Sequence, residues 1–284
     1  MLHKKYGLFL LSIIFLSGCQ VKDLIPEEFH FISQQENTTK EQTKQKVEQN
    51  TKEKEENSAT TKGGIENEEV LTLDSQFFNE IQEVNGKKLI QNPENSLVLV
   101  NKEYSLSDEY APRDLVRPNV AFSFGFLEQE KALMRKEAAR ALEQMFQEAK
   151  LNGIELYAVS AYRSFERQMM IFDAEINRVG REKAIEAVAY PGQSEHQTGL
   201  AVDISSKSVN LLLIQEFEKT LEGKWLALNA HHYGFILRYP KGKEEITGYK
   251  FEPWHFRYVG KDLAEILYEK GLTLEEYFSK VKAI

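Results

Sequence analysis

The chain has 284 residues, with 36 Lys and Arg against 44 Asp and Glu, a formal net charge of −8. Its length suggests about two folding units, and a hydrophobic share of 42% is enough for a substantial core. The acidic balance argues against nucleic acid as a partner, since phosphate affinity comes from Lys and Arg. The single cysteine excludes an intrachain disulfide, a cysteine-rich zinc site and an iron–sulfur cluster.

Lys4 and Lys5 precede a largely apolar run from Leu8 to Phe15, followed by Leu16-Ser17-Gly18-Cys19. A basic start, a short apolar stretch and small residues before a cut are the parts of a secretory signal peptide. The run is too short to span a bilayer, which takes about 20 apolar residues. The last four residues resemble the bacterial lipobox. That resemblance implies cleavage before Cys19 and diacylglycerol on its sulfur. Residues 1–18 are therefore expected to be a lipoprotein signal peptide. The mature chain is expected to be lipid-anchored on the extracytoplasmic face of the bacterial cell membrane.

Residues 36–64 carry Val47 and Ala59 as their only apolar side chains. Such a segment cannot bury enough surface to offset its ordering entropy, so residues 19–70 are expected to be a disordered tether. The 1–70 segment carries a net charge of −3 and the remainder −5, so the tether acts by reach, not by electrostatic docking.

From residue 71 to 284 the pattern is that of one mixed domain. Leu97–Val100 is a short β-rich run behind an Asn-Pro-Glu-Asn turn. Residues 129–152 place apolar side chains at 138, 142, 145, 146 and 149, one helical face ending at Asn152-Gly153. Residues 154–159 alternate as a strand. Ser164 can cap a helix that runs to Val179 and stops at Gly180. A short helix over 181–189 ends at Pro191-Gly192. Residues 201–204, 235–238 and 254–258 read as strands. Residues 211–232 read as a helix broken near Gly223, and 262–270 and 274–280 as closing helices. Helices and strands alternate without a βαβ rhythm, which predicts an α+β fold with a small antiparallel sheet flanked by helices.

The chemistry lies in two motifs, Ser194-Glu195-His196-Gln197-Thr198-Gly199-Leu200-Ala201-Val202-Asp203 and Glu252-Pro253-Trp254-His255-Phe256-Arg257. A catalytic zinc wants three nitrogen or oxygen ligands and an open fourth position. His196, Asp203 and His255 meet that count, and Glu252 is left over as a base. On a strand, His255 would face opposite to Trp254. Gly199 and Ala201 are small enough for a tight turn between His196 and Asp203. A lone histidine near a strand is most often packed or at the surface; the joint pattern favours a ligand role. His231-His232, ending a helix, reads as structural. Arg238 and Tyr239 end a strand where they could line a pocket.

The two motifs resemble the S-x-H-x-x-G-x-A-x-D and E-x-W-H-x-R signatures of peptidase family M15, subfamily B. This family holds VanY-type D-alanyl-D-alanine carboxypeptidases and LdcB-type L,D-carboxypeptidases. Ser160-Ala161-Tyr162-Arg163-Ser164-Phe165-Glu166-Arg167-Gln168 matches a third family segment, Y-R-S-x-x-x-Q. The resemblance implies Zn2+ bound by His196, Asp203 and His255, with Glu252 as general base. It implies Arg163 as the contact for the substrate's free carboxylate, with Gln168 and Ser194 beside it. The implied activity is a zinc metallocarboxypeptidase removing the C-terminal D-alanine from peptidoglycan stem peptides, of the D-Ala-D-Ala type; separately, the chain is expected to be a monomer. Two alternatives stay open: an L,D-carboxypeptidase acting on tetrapeptide stems, and a non-catalytic cell-wall-binding zinc module.

Overall fold

The computed structural model describes residues 71–284. The leader, the Cys19 anchor and the tether expected over 1–70 lie outside the described residues. The described part opens with short strands β1 (Thr72–Leu73), β2 (Ile81–Val84), β3 (Lys87–Ile90), β4 (Tyr104–Ser105) and β5 (Leu115–Val116). Strand β6 (Met134–Arg135) leads into helix α1 (Lys136–Leu151), strand β7 (Tyr157–Ser160) and helices α2 (Phe165–Val179) and α3 (Arg181–Ala187). Then come β8 (Ala201–Ser205), α4 (Leu221–Asn229), β9 (Phe235–Leu237), α5 (Glu244–Thr247) and β10 (His255–Tyr258). Helices α6 (Lys261–Lys270) and α7 (Leu274–Lys280) and strand β11 (Lys282–Ala283) close the chain.

The central sheet has the order β7-β8-β10-β9 and is antiparallel throughout. The fold is α+β, as the element pattern predicts. In the β8–β10 register, His255 faces Asp203, Phe256 faces Val202 and Arg257 faces Ala201. Side chains alternate between the faces of a sheet, and this sheet separates its two jobs by that rule. Val202, Ile204, Phe256 and Tyr258 enter the main core, where they join Ala138, Leu142, Met145, Phe146 and Ala149 of α1. Asp203 and His255 are left on the other face.

The helix expected from residue 129 starts only at Lys136. Ahead of it, β6 pairs with β5, and the Arg135 amide donates to the Gly199 carbonyl at 2.9 Å. That extended stretch ties α1 to the turn that carries His196. Helix α2 keeps the expected limits: the Ser164 hydroxyl accepts from the Arg167 amide at 3.2 Å, and Gly180 closes it at φ +84°.

Leu97–Val100 is buried but is not a strand. Its backbone groups pair with side chains instead of a ladder. Asn79 donates to the Leu99 carbonyl at 2.7 Å and accepts from the Leu99 amide at 3.1 Å. Arg257 donates to the Val98 carbonyl at 2.9 Å.

The segment over 211–232 breaks at Thr220, not at Gly223. Thr220 caps α4 by accepting from the Gly223 amide at 2.9 Å. Gly223 lies inside the helix, and it is glycine because a Cβ there would sit 2.0 Å from the Phe217 carbonyl oxygen. Gly223→Ala should therefore cost about 1–3 kcal/mol through overpacking and lower Tm by roughly 3–10 °C. An unchanged melting curve would contradict this close approach.

Candidate metal centre and active site

His196 is set by a single 3-10 turn, Glu195–Thr198, placed just ahead of β8. Gly199 closes that turn in the left-handed region at φ +67°, and a Cβ there would lie 2.9 Å from Leu115 Cδ2 and 3.1 Å from Arg135 Cγ. The small residue expected between His196 and Asp203 is thus required twice, by backbone angle and by space.

From this turn His196 meets the pair made by the β8–β10 register. Its Nε2 lies 3.3 Å from Asp203 Oδ2, and His255 Nδ1 lies 3.0 Å from Asp203 Oδ1. The two imidazole rings are edge to face, with centroids 5.0 Å apart. One ligand atom from each of the three residues lies within 4.8 Å of the others, and all three residues are buried.

The remaining ring nitrogens are also engaged. His196 Nδ1 is 2.6 Å from the Ala161 carbonyl, which accepts its proton and leaves Nε2 as the free donor of a lone pair. His255 Nε2 is 3.4 Å from Glu195 Oε2. Metal-binding imidazoles characteristically give their other nitrogen to a carbonyl or carboxylate. Two such imidazoles and one carboxylate, with no fourth donor in the cluster among the described residues, fit a zinc ion that keeps an open position.

Burial would raise both Glu195 and Asp203, yet both carboxyls sit well below the usual carboxylate range. The guanidiniums of Arg238 and Arg257 hold Glu195 down, and His196 and His255 hold Asp203 down. Burial would lower His255, but its bonds to Asp203 and Glu195 outweigh that and push it up to about 9. A cation at this centre would take the place of the proton on His255 Nδ1.

Glu252 behaves in the opposite way. Burial and the nearby Asp203 charge push it up to about 7, against the lowering pull of His255 and Arg163. Its backbone is fixed at both ends: the Glu252 amide donates to the Tyr239 carbonyl at 3.1 Å, and its own carbonyl accepts from the His255 amide at 3.1 Å.

One cavity of about 230 Å³ gathers Arg163, Ser194, His196, Asp203, Glu252 and His255. Six of the seven residues expected at the catalytic site therefore share a wall. Gln168 does not. It is fully buried behind Arg163, accepting from Arg163 Nη1 at 2.8 Å and donating to the Ala189 carbonyl at 2.7 Å. Gln168 therefore holds the arginine, since both ends of its amide are already used. Trp254, expected to turn away, borders the cavity because it lies just before β10. Tyr239 also lines it, stacked on His255 at 4.8 Å between centroids.

Motif reading missed the buried charge cluster that supports the cavity and reaches its lining through Glu195. Glu195 is buried and accepts from Arg238 Nε at 2.7 Å and Arg257 Nη1 at 2.9 Å. Arg238, expected to share the pocket wall, is instead part of this cluster. The available signal was an arginine in each of two otherwise apolar stretches, Phe235–Arg238 and Phe256–Tyr258. His231, read as structural, stacks on Tyr268 at 3.6 Å, away from the cavity.

Residues 131–261 match the family model described as VanY, D-alanyl-D-alanine carboxypeptidase. Among curated relatives, the "Putative carboxypeptidase YodJ" of Bacillus subtilis (strain 168) is 55% identical over 234 residues, covering 82% of this chain and 85% of that protein. The solved structure of the LdcB LD-carboxypeptidase is 57% identical, with a TM-score of 0.73, and the match covers 75% of this chain and all of that one (100%). A vancomycin-resistance D,D-pentapeptidase VanY, solved with Zn(II), is 33% identical with a TM-score of 0.54, covering 64% of this chain and 98% of that one.

The Glu252 environment has a measurable cost. With a native value of about 7 against an ordinary 4.5, the folded chain binds that proton more tightly than the unfolded chain. Stability then falls as pH rises from the ordinary value to the native one, and stays lowered above it. Without metal, Glu252→Gln should be more stable than the wild type at pH 8, by up to about 3 kcal/mol. At about pH 4 the two should match. Urea unfolding at both pH values checks this, and an equal gain at both would contradict it.

Proposed function

The chain belongs to the VanY family of carboxypeptidases, and from that premise we propose that it is a zinc-dependent hydrolase that removes the C-terminal D-alanine from peptidoglycan stem peptides. The observation that carries this reading is the meeting of three kinds of group in one cavity: the His196, Asp203 and His255 donors, the perturbed carboxyl of Glu252, and the Arg163 guanidinium.

Each group has a definite task. A guanidinium can fork onto a carboxylate with two parallel bonds, so Arg163 recognises a chain end and rejects a chain interior. Gln168 and the Ser160 hydroxyl, 2.8 and 3.3 Å from the Arg163 fork, fix its direction before substrate arrives. His196, Asp203 and His255 would hold the zinc, which would supply Lewis acidity toward the scissile carbonyl and acidify a water. Glu252 takes a proton from the attacking water and returns it to the leaving amine of D-alanine. Water's oxygen ends on the new peptide carboxylate, and the amide C–N bond breaks.

The site motifs are common to D,D- and L,D-carboxypeptidases. The greater likeness to the LdcB structure, 57% against 33% identity for the VanY one, favours a tetrapeptide stem. The same reading places the domain outside the cytoplasmic membrane as a monomer, anchored through Cys19 on its tether. The leader pattern and the single cysteine support that placement.

The test is product mass from defined tetrapeptide and pentapeptide stems. Loss of one terminal alanine is expected, favouring the tetrapeptide, and a chelator should abolish it. Glu252→Gln should keep zinc but lose about 10²- to 10⁴-fold in kcat. Arg163→Ala should lose roughly 10- to 150-fold in kcat/KM, the value of one charge-assisted bond. Cleavage of neither peptide, or full activity in Glu252→Gln, would contradict the reading.

A further inference from the structure

Helix α7 is remote in sequence from both motifs, yet one of its side chains ends a run of contacts that begins at the metal centre. Glu275 stands in its first turn. Its Oε2 accepts from Arg238 Nη1 at 2.8 Å, and its Oε1 from Arg238 Nη2 at 2.6 Å. The third edge of the same guanidinium, Nε, donates to Glu195 Oε1 at 2.7 Å. Glu195 Oε2 faces His255 Nε2 at 3.4 Å. The side chains of Arg238 and Glu195 have no exposed surface, and that of Glu275 has 14%.

The charges explain why the outer carboxylate matters. Glu195 must serve two guanidiniums and one imidazole with two oxygens. Arg257 gives it one bond, Nη1 to Glu195 Oε1 at 2.9 Å, and its other donors go to the carbonyls of Ser96, Val98 and Tyr258. Among the described residues Arg238 donates to no such carbonyl; both its Nη groups go to Glu275, and its guanidinium lies over the Tyr239 ring at 5.0 Å. Without the Glu275 charge, Arg238 is left buried with a single carboxylate. It would then draw both Glu195 oxygens toward itself and away from His255.

We propose that Glu275 is a positioning residue for the metal centre: through Arg238 it holds Glu195 against His255 Nε2, which keeps His255 Nδ1 turned toward Asp203 and His196. This role rests on the reading of His196, Asp203 and His255 as a metal site. It is separable from the docking of α7, which has other anchors. Leu274 and Tyr277 are buried in a second core cluster. Thr273 and Glu276 form a capping box, and Lys243 Nζ pairs with Glu276 at 2.8 Å.

The experiment measures zinc affinity of the full chain by competition with a chelator, the visible spectrum of its Co(II) form, and the Tm of the metal-free chain. Glu275→Gln should weaken zinc about 10- to 100-fold, the range for groups that support a ligand, and shift the Co(II) bands; its metal-free Tm also falls, because buried Arg238 loses an ionic partner, so affinity and spectrum are the readouts that decide. Glu275→Asp, which keeps the charge, should recover most of the affinity and serves if the glutamine variant fails to fold. Glu276→Gln should lower Tm without moving affinity or spectrum. Wild-type affinity and spectrum in Glu275→Gln would overturn the role, as would an equal loss of affinity in Glu276→Gln. A wild-type chain that takes up no zinc would overturn the metal reading beneath it.

Discussion

The structure depends on one buried charge. Glu195 has no exposed surface, and an ionised carboxylate there is tolerable only if fully paired. Two arginines and a histidine pair it. Such a cluster adds little net stability, because desolvation consumes most of the Coulomb attraction, while removing one partner typically costs about 3–5 kcal/mol. Its value lies in geometry. It draws β9, β10 and the turn before β8 to one point and fixes which nitrogen of His255 faces the cavity.

The register of β8 and β10 is the second constraint, and it is coupled to the first. A slip of one residue would turn Asp203 or His255 into the core and bring Val202 or Phe256 out. The core prevents this on one face and the Glu195 cluster on the other. Catalytic and structural demands are thus met by alternate residues of the same two strands. His255 and Arg257 share the polar face, and Phe256 and Tyr258 the apolar one.

The cavity residues were legible because their motifs are short. His196 and Asp203 are separated by one turn and one strand entry, and Glu252 and His255 by three positions, so local geometry carries most of the placement. Arg163 was legible through a third short segment. The supporting layer was not legible. Glu195 reaches Arg238 and Arg257 across 43 and 62 residues, and charged side chains in a sequence read as solvated unless their partners are known. The family segment Y-R-S-x-x-x-Q implies a substrate contact at Gln168, but a motif does not give side-chain direction, and the packing of α2 turns this amide inward onto Arg163 and the Ala189 carbonyl. Leu97–Val100 has the composition of a strand, but an apolar run does not distinguish a ladder from a buried loop held by Asn79 and Arg257. The start of α1 shifted because the backbone of β6 is committed to β5 and Gly199.

Glu195 determines the orientation of His255 at a preformed three-donor centre. The most direct measurement is a crystal structure of the zinc-loaded chain. One zinc is expected on His196 Nε2, an Asp203 oxygen and His255 Nδ1, with His255 Nε2 still on Glu195. Ligation through His255 Nε2, or Glu195 itself on the metal, would contradict it.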